Sequence, residues 1–72
     1  AIHPNPANDF VTIESNELLN DITLLDVSGH VMISQKLHAK QTVIDITALS
    51  KGIYFVKIGT KNYRTVKKLV KK

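Results

Sequence analysis

The stretch "LSKGIYFVKI", residues 49–58, decides the fold of this chain. Leu49 is followed three residues later by Gly52, and Tyr54 then opens a strand-like run in which apolar side chains alternate. This order matches the tyrosine corner of a Greek-key sandwich, in which the ring packs in the core and the hydroxyl reaches back to upstream backbone. Gly52 would allow a positive φ that a β-carbon penalises. Tyr54 is therefore predicted to be a structural residue rather than a binding aromatic.

The rest of the chain also alternates with a period of two, which is typical of β-strands. The strand-like segments are residues 10–14, 22–27, 31–37, 42–46, 53–58 and 63–70, with a shorter one at 2–3. This spacing predicts an all-β fold, a small antiparallel β-sandwich of about six to seven strands. Residues 16–20 and 47–49 are each predicted to form no more than a single helical turn.

The alternation also predicts which side chains face the core. The residues predicted to be mainly buried are Val11, Ile13, Ile22, Leu24, Val31, Ile33, Ile44, Ile46, Tyr54 and Val56. For a chain of this size, apolar burial contributes ~105 kcal/mol, and ordering the chain costs ~108 kcal/mol. The domain is therefore predicted to need a well-packed core and to be marginally stable alone.

Two groups of turn residues stand out between the strands. Residues 26–29 place Asp26 at the first and Gly29 at the last position of a type I turn. Pro4-Asn5-Pro6 cannot lie inside a helix, because each proline lacks an N–H and pushes the preceding residue towards extended geometry. These residues are predicted to form a hairpin turn and an irregular entrance to the sheet.

Length and composition restrict the class of protein. The chain has 72 residues, enough for one small domain, and it has no cysteine for disulfides or a thiolate metal site. No apolar run approaches the ~18 residues of a membrane span, and no signal-peptide pattern opens the chain. The abrupt start at Ala1 indicates a single domain, residues 1–72, excised from a longer protein. If that protein is exported, its targeting signal lay upstream and has been removed.

The residues that could carry chemistry do not form a recognisable site. His30 and His38 would lie near opposite ends of one strand, roughly 26 Å apart, so no zinc site is predicted. The serines lack a nucleophile-elbow context, and there is no glycine-rich phosphate loop. The sequence therefore predicts a domain that is not an enzyme and holds no metal or cofactor.

The basic residues are concentrated towards the end of the chain. The net charge is +4, and from Lys51 onward there are eight basic residues and no acid. The last six residues, "KKLVKK", place lysines on both faces of one predicted strand. Such a strand suits an exposed sheet edge, where lysines prevent edge-to-edge aggregation. Binding of a polyanion and recognition as an address are the other two interpretations. Nucleic-acid binding is not predicted, because only Tyr63 offers an aromatic platform nearby.

Four stretches together resemble a known family. The ordered set "HPNPAND", "DVSGHVM", "LSKGIYFVKI" and "KKLVKK" closely resembles the C-terminal sorting domains of the type IX, or Por, secretion system of Gram-negative bacteria. The resemblance runs from His3 to Lys72, essentially the whole chain, although His3 stands where an aromatic residue is usual. It implies an immunoglobulin-like sandwich, which agrees with the period-two pattern.

The resemblance also implies a function and a set of partners. Such a domain directs its cargo from the periplasm through the type IX translocon, assisted by shuttle proteins, to the cell surface or the medium. A sortase-like cysteine peptidase then removes it. The residues implied in translocon recognition are Gly52, Tyr54, Lys67, Lys68, Leu69, Val70, Lys71 and Lys72, and the structural motif positions are Pro4, Asn5, Pro6, Asp26 and Gly29.

Two function classes therefore remain, with sorting as the first prediction. The alternative is an immunoglobulin-like or fibronectin-like adhesion module that binds a surface glycan or a protein. In either class, the isolated domain could form a homodimer through its strand edges.

Overall fold

The computed structural model describes residues 2–4 and 6–72, which form one curled antiparallel sheet. Its five strands are β1 (Ile2–His3), β2 (Phe10–Asp26), β3 (Val31–Asp45), β4 (Gly52–Thr60) and β5 (Arg64–Lys71). β3 pairs along one edge of β2, β1 and β4 share the other edge, and β5 lies outside β4. The all-β prediction is confirmed. Within the described residues, no helix is long and apolar enough to cross a lipid bilayer.

Two of the strands are longer than the sequence predicted. β2 runs through residues 16–20, where a helical turn was the expectation, and β3 runs through residues 38–41. The described chain therefore has five strands, not six to seven. Leu19 explains this difference, because it pairs with both β3 and β4 and so holds a polar stretch inside the sheet. Register shifts on either side of Leu19 mark bulge-like irregularities, which let a long strand bend.

The bend is sharp enough to bring distant parts of one strand into contact. The Gln35 side-chain amide donates to the Thr42 hydroxyl oxygen at 3.3 Å. In a straight strand these residues would lie ~23 Å apart. β3 is therefore strongly curved between them, and the sheet acquires an inner and an outer face.

The core lies on the inner face of the curled sheet. Its buried apolar residues are Ala7, Val11, Ile13, Leu19, Ile22, Leu24, Ile44, Ile46, Tyr54, Val56, Ile58 and Leu69. The prediction of burial is confirmed for Val11, Ile13, Ile22, Leu24, Ile44, Ile46, Tyr54 and Val56. Ile33 is only half-buried, although it packs against this core.

The predicted burial of Val31 is wrong, because this side chain is 53% exposed. Val31 pairs with Leu25, whereas Ile33 pairs with Leu24, so the register shifts by one residue between the two pairs. Residues that face each other across a ladder share one face of the sheet. The shift therefore turns Val31 to the outer face, while Ile33 stays on the inner one.

Candidate functional site

Four stretches that are distant in sequence meet at one end of the sheet. Tyr54 on β4 pairs with Asp26 on β2 and with Leu69 on β5, and Gly52 pairs with Lys71. The motif end denotes this region: residues 26–29, 50–54 and 69–72 together with Ala7. We use the name tail cluster for the recognition residues that the sequence predicted, namely Gly52, Tyr54 and residues 67–72. These residues lie within the motif end or next to it.

Tyr54 forms the predicted tyrosine corner. Its hydroxyl donates to the backbone carbonyl of Ser50 at 2.7 Å, and its side chain is buried. Gly52 has φ of 151°, and no atom lies within 4 Å of the place where a β-carbon would stand. Glycine is therefore favoured here by backbone conformation and not by lack of space. The hydrogen bond confirms the structural interpretation of Tyr54.

The hairpin turn between β2 and β3 lies beside this corner. The Gly29 N–H donates to the Asp26 carbonyl at 3.0 Å, and Gly29 has φ of 88°, as expected for a turn that ends in a left-handed glycine. The Asp26 carboxylate accepts from the Ser28 hydroxyl and from the N–H groups of Ser28 and His30. The pKa of Asp26 is lowered below its usual value. The largest cause is the hydrogen bond from the Ser28 hydroxyl, followed by the bond from the His30 N–H.

The end of the chain is held from two sides. On one side β5 pairs with β4, and the Leu69 side chain is fully buried in the core. On the other side the Ala7 N–H donates to the Val70 carbonyl, and the Lys72 N–H donates to the Ala7 carbonyl, both at 2.8 Å. This parallel bridge fixes the last three residues against the entry segment. Pro4 and Pro6 of that segment are exposed, and the predicted motif residue Asn5 lies outside the described residues.

The lysines of the tail cluster project from both faces of β5. Lys67 is opposite Val56 on the inner face, and Lys68 is opposite Phe55 on the outer face, yet both lysines are exposed. Lys72 is also exposed. Lys71 is half-buried, and its ammonium group donates to the Lys72 carbonyl at 3.3 Å.

The topology makes β5 an edge strand, as its charge pattern predicted. Within the described residues, its strand partner is β4 alone, and the bridge to Ala7 adds a contact at Lys71. The pairing of β5 thus places several cations along a strand edge, where they can form charge-assisted hydrogen bonds with carboxylates or other anionic groups.

Sequence reasoning missed the part that Ala7 has in this site. Its side chain is fully buried, and its two backbone bonds connect the entrance to the end of β5. The alternation of apolar and polar residues that identified the strands does not extend to Ala7, so it could not predict that this residue is buried. The one clue in the sequence is its small size among prolines and polar residues, because a small side chain allows two backbones to approach closely.

Comparison with known protein families finds a match. Residues 1–72 match the family described as "Secretion system C-terminal sorting domain". A search of curated proteins finds no match. The matched residues cover the whole chain, including all four stretches that carry the motif positions.

Proposed function

The chain belongs to the C-terminal sorting domains of type IX secretion, and we propose that the tail cluster is the part of this signal that the translocon reads. Domains of this family are sorting signals rather than catalytic domains, and they direct export across the outer membrane to the cell surface or the medium. The family match does not support the alternative adhesion function.

One observation carries the proposal: the cross-strand pairing that joins Gly52 to Lys71 and Tyr54 to Leu69. This pairing brings two motif regions that are about fifteen residues apart in sequence into direct contact. Ordering a flexible residue costs roughly 1–2 kcal/mol of backbone entropy. A terminus that is already ordered avoids most of that cost when a partner binds it. The glycine and tyrosine therefore support recognition by holding the lysines in place.

The residues of the tail cluster have different parts in this proposal. Tyr54 and Leu69 are buried and hold β5 on the sheet, so they act through the fold. Lys67, Lys68 and Lys72 are exposed and act as the contact residues. Their chemistry fits a translocon component with an acidic surface, and the binding of such exposed charges weakens as salt concentration rises.

The test is export of a reporter protein fused upstream of the domain. In one variant Lys67, Lys68, Lys71 and Lys72 are all replaced by glutamine. We expect the reporter to accumulate in the periplasm instead of appearing outside the cell. The matched control replaces the exposed lysines Lys36, Lys40, Lys51 and Lys61 by glutamine. It removes the same charge from residues outside the tail cluster, and we expect normal export.

Thermal unfolding of both variants separates recognition from folding. Single changes of surface residues usually alter stability by less than about 0.5 kcal/mol, so both variants should form a folded sheet. If the tail variant is folded and exported as well as the wild type, the address hypothesis is wrong. Protection of the β5 edge from aggregation would then be the function of these lysines.

Family membership supports proposals about further steps of the pathway. We propose that residues 1–72 are one sorting domain of a longer exported protein, which crosses the periplasm with the help of shuttle proteins. A sortase-like cysteine peptidase at the outer membrane then removes the domain, which is the substrate of that reaction and not its catalyst. Measuring the mass of the exported reporter tests this step, because retention of the whole domain would contradict it.

The curled sheet supports an immunoglobulin-like arrangement of two layers. The pair Val11 and Ile44 lies before the bend of the β2–β3 ribbon, and the pair Leu24 and Val56 lies beyond it. All four side chains belong to one core cluster. We propose that the two halves of the sheet face each other across this core, as the layers of a sandwich do.

Pairing of two isolated domains through strand edges stays a prediction. β3 offers the longest edge, 15 residues with β2 as their strand partner in the described chain. Lys36 and Lys40 lie near the middle of that edge, where cations disfavour pairing with a second copy.

A further inference from the structure

The outer face of the sheet carries a groove that is lined by both apolar and polar side chains and includes Lys57. The groove has a volume of about 530 Å³ and lies between β3 and β5, across β2 and β4. Lys57 on β4 pairs with Thr23 on β2 and with Val66 on β5. These three side chains therefore share the outer face, away from the core. The groove uses none of the four lysines of the tail.

The apolar part of this groove is formed by residues from all four strands. Its apolar lining residues are Leu25, Val31, Ile58 and Val66. Val31 and Val66 are 53% and 55% exposed, Leu25 is half-buried, and the half-buried Phe55 lies beside the groove, opposite Leu25. Leu25 pairs with both Val31 and Phe55, so these side chains form a continuous row across the sheet. A contiguous apolar surface on a small domain is typical of an interaction site.

The charged residues that line the groove carry a net positive charge. Lys57 and Arg64 are the basic residues among the described lining residues, and Asp21 is the acidic one. The Arg64 guanidinium already occupies both oxygens of the Asp21 carboxylate, at 3.0 and 3.3 Å. Their contact passes over Gly59, where a β-carbon would stand 2.7 Å from each partner.

The Lys57 ammonium group has no ion-pair partner among the described residues. It therefore presents an unmatched positive charge within an apolar surface. An incoming carboxylate would be desolvated by the groove and would gain a charge-assisted hydrogen bond there.

We propose that this groove is a second docking site, which binds an extended acidic segment of a partner protein. An apolar side chain of that segment lies between Val31 and Val66, and a neighbouring carboxylate pairs with Lys57. The ammonium group of Lys57, which has no ion-pair partner among the described residues, favours an acidic partner. The concave shape favours a protein segment, because a flat membrane surface could not fill the groove. The site goes beyond the proposed function, since none of the tail lysines lines it.

Peptide titration followed by NMR tests the proposal on the 72-residue chain. The probe is a capped hexapeptide of alternating glutamate and leucine, and its control has lysine in place of glutamate. We expect the acidic probe to shift the amide signals of Thr23, Leu25 and Val66, and the basic control to leave them unchanged. Binding should weaken as salt is added.

Three variants test whether Lys57 makes the contact with the acidic peptide. Lys57→Gln should weaken binding of the acidic probe about tenfold, as expected for loss of one charge-assisted hydrogen bond. Lys57→Arg should restore it to within about twofold. Lys61→Gln removes an exposed turn lysine outside the groove and should have no effect. All three changes are on the surface, and an unchanged dispersion of the NMR spectrum verifies the fold.

Several results would overturn the proposal. These are no shift on the outer face, equal binding by the two peptides, or equal affinity of the wild type and Lys57→Gln. Vesicles containing phosphatidylglycerol test the alternative ligand, an anionic lipid surface. If they bind through Lys57 while the peptide does not, the face is a lipid-binding surface. The peptide assay needs no translocon, so its failure is distinguishable from failure of the reporter export test.

Discussion

The two tyrosines mark two ends of the sheet that are held together in different ways. At the motif end, the Tyr54 side chain is 5% exposed, and its hydroxyl donates to a backbone carbonyl. At the other end, which we call the bend end (residues 15–17 and 60–64), Tyr63 is 44% exposed. The Tyr63 hydroxyl is hydrogen-bonded to that of Ser15 at 3.2 Å, and nearby the Asn62 amide donates to the Glu17 carboxylate.

This difference separates contacts that stabilise the fold from surface contacts that contribute little to its stability. A buried ring that is lost leaves a cavity, and a part-buried hydrogen bond that loses its donor is replaced only incompletely by water. Exposed side-chain pairs exchange one set of hydrogen bonds for another with water, so they contribute little. The motif positions should therefore lie where the free energy of unfolding is most sensitive to substitution.

Removing the Tyr54 ring should have the largest effect. Tyr54→Ala is expected to lower the free energy of unfolding by about 3–5 kcal/mol, because it leaves a cavity between β2 and β5. In a domain of marginal stability this change could abolish folding. The matched control, Tyr63→Ala, should cost less than about 1 kcal/mol. Urea unfolding followed by circular dichroism measures both, and equal losses would contradict the comparison.

Removing the hydroxyl alone should have a smaller effect at the same position. Tyr54→Phe is expected to cost about 1 kcal/mol, because the Ser50 carbonyl loses its donor. Tyr63→Phe should change stability by less than about 0.5 kcal/mol, since water can replace the bond to Ser15. Melting temperatures show the difference. If Tyr54→Phe melts at the wild-type temperature, the hydroxyl contributes nothing to the corner.

Acid should weaken the turn at the motif end. The pKa of Asp26 is lowered from its usual 3.8, so its contribution to stability is present above that pH and is lost as the pH falls through the lower folded value. Asp26→Asn should therefore make the melting temperature less dependent on pH below about pH 4.

Asp45 provides the matched control for this acid effect. Its carboxylate accepts from the N–H and the hydroxyl of Thr47, which also lower its pKa, but it lacks the third bond that Asp26 receives from His30. Asp45→Asn should therefore have the smaller effect on the pH dependence. An unchanged pH dependence in Asp26→Asn would show that the turn does not stabilise the ionised carboxylate.

The local features of the fold could be predicted from the sequence alone. Within each strand, the alternation predicted which side chains share a face: Ile22 with Leu24, and Tyr54 with Val56. The reason is that successive side chains of a strand point in opposite directions. The turn at residues 26–29 and the corner at Tyr54 were also predictable. Both depend on residues close in sequence whose φ preference or hydrogen-bonding groups suit one geometry.

Which strands are neighbours, and in what register, depends on tertiary contacts. Residues 16–20 were predicted to form no more than a single helical turn, yet the pairing of Leu19 with two strands keeps them in β2. A register shift moves Val31 to the outer face. Pairing with Tyr54 places Leu69 in the core, and the bridge from Ala7 completes the tail cluster. These features depend on contacts between residues far apart in the chain, which no local period encodes.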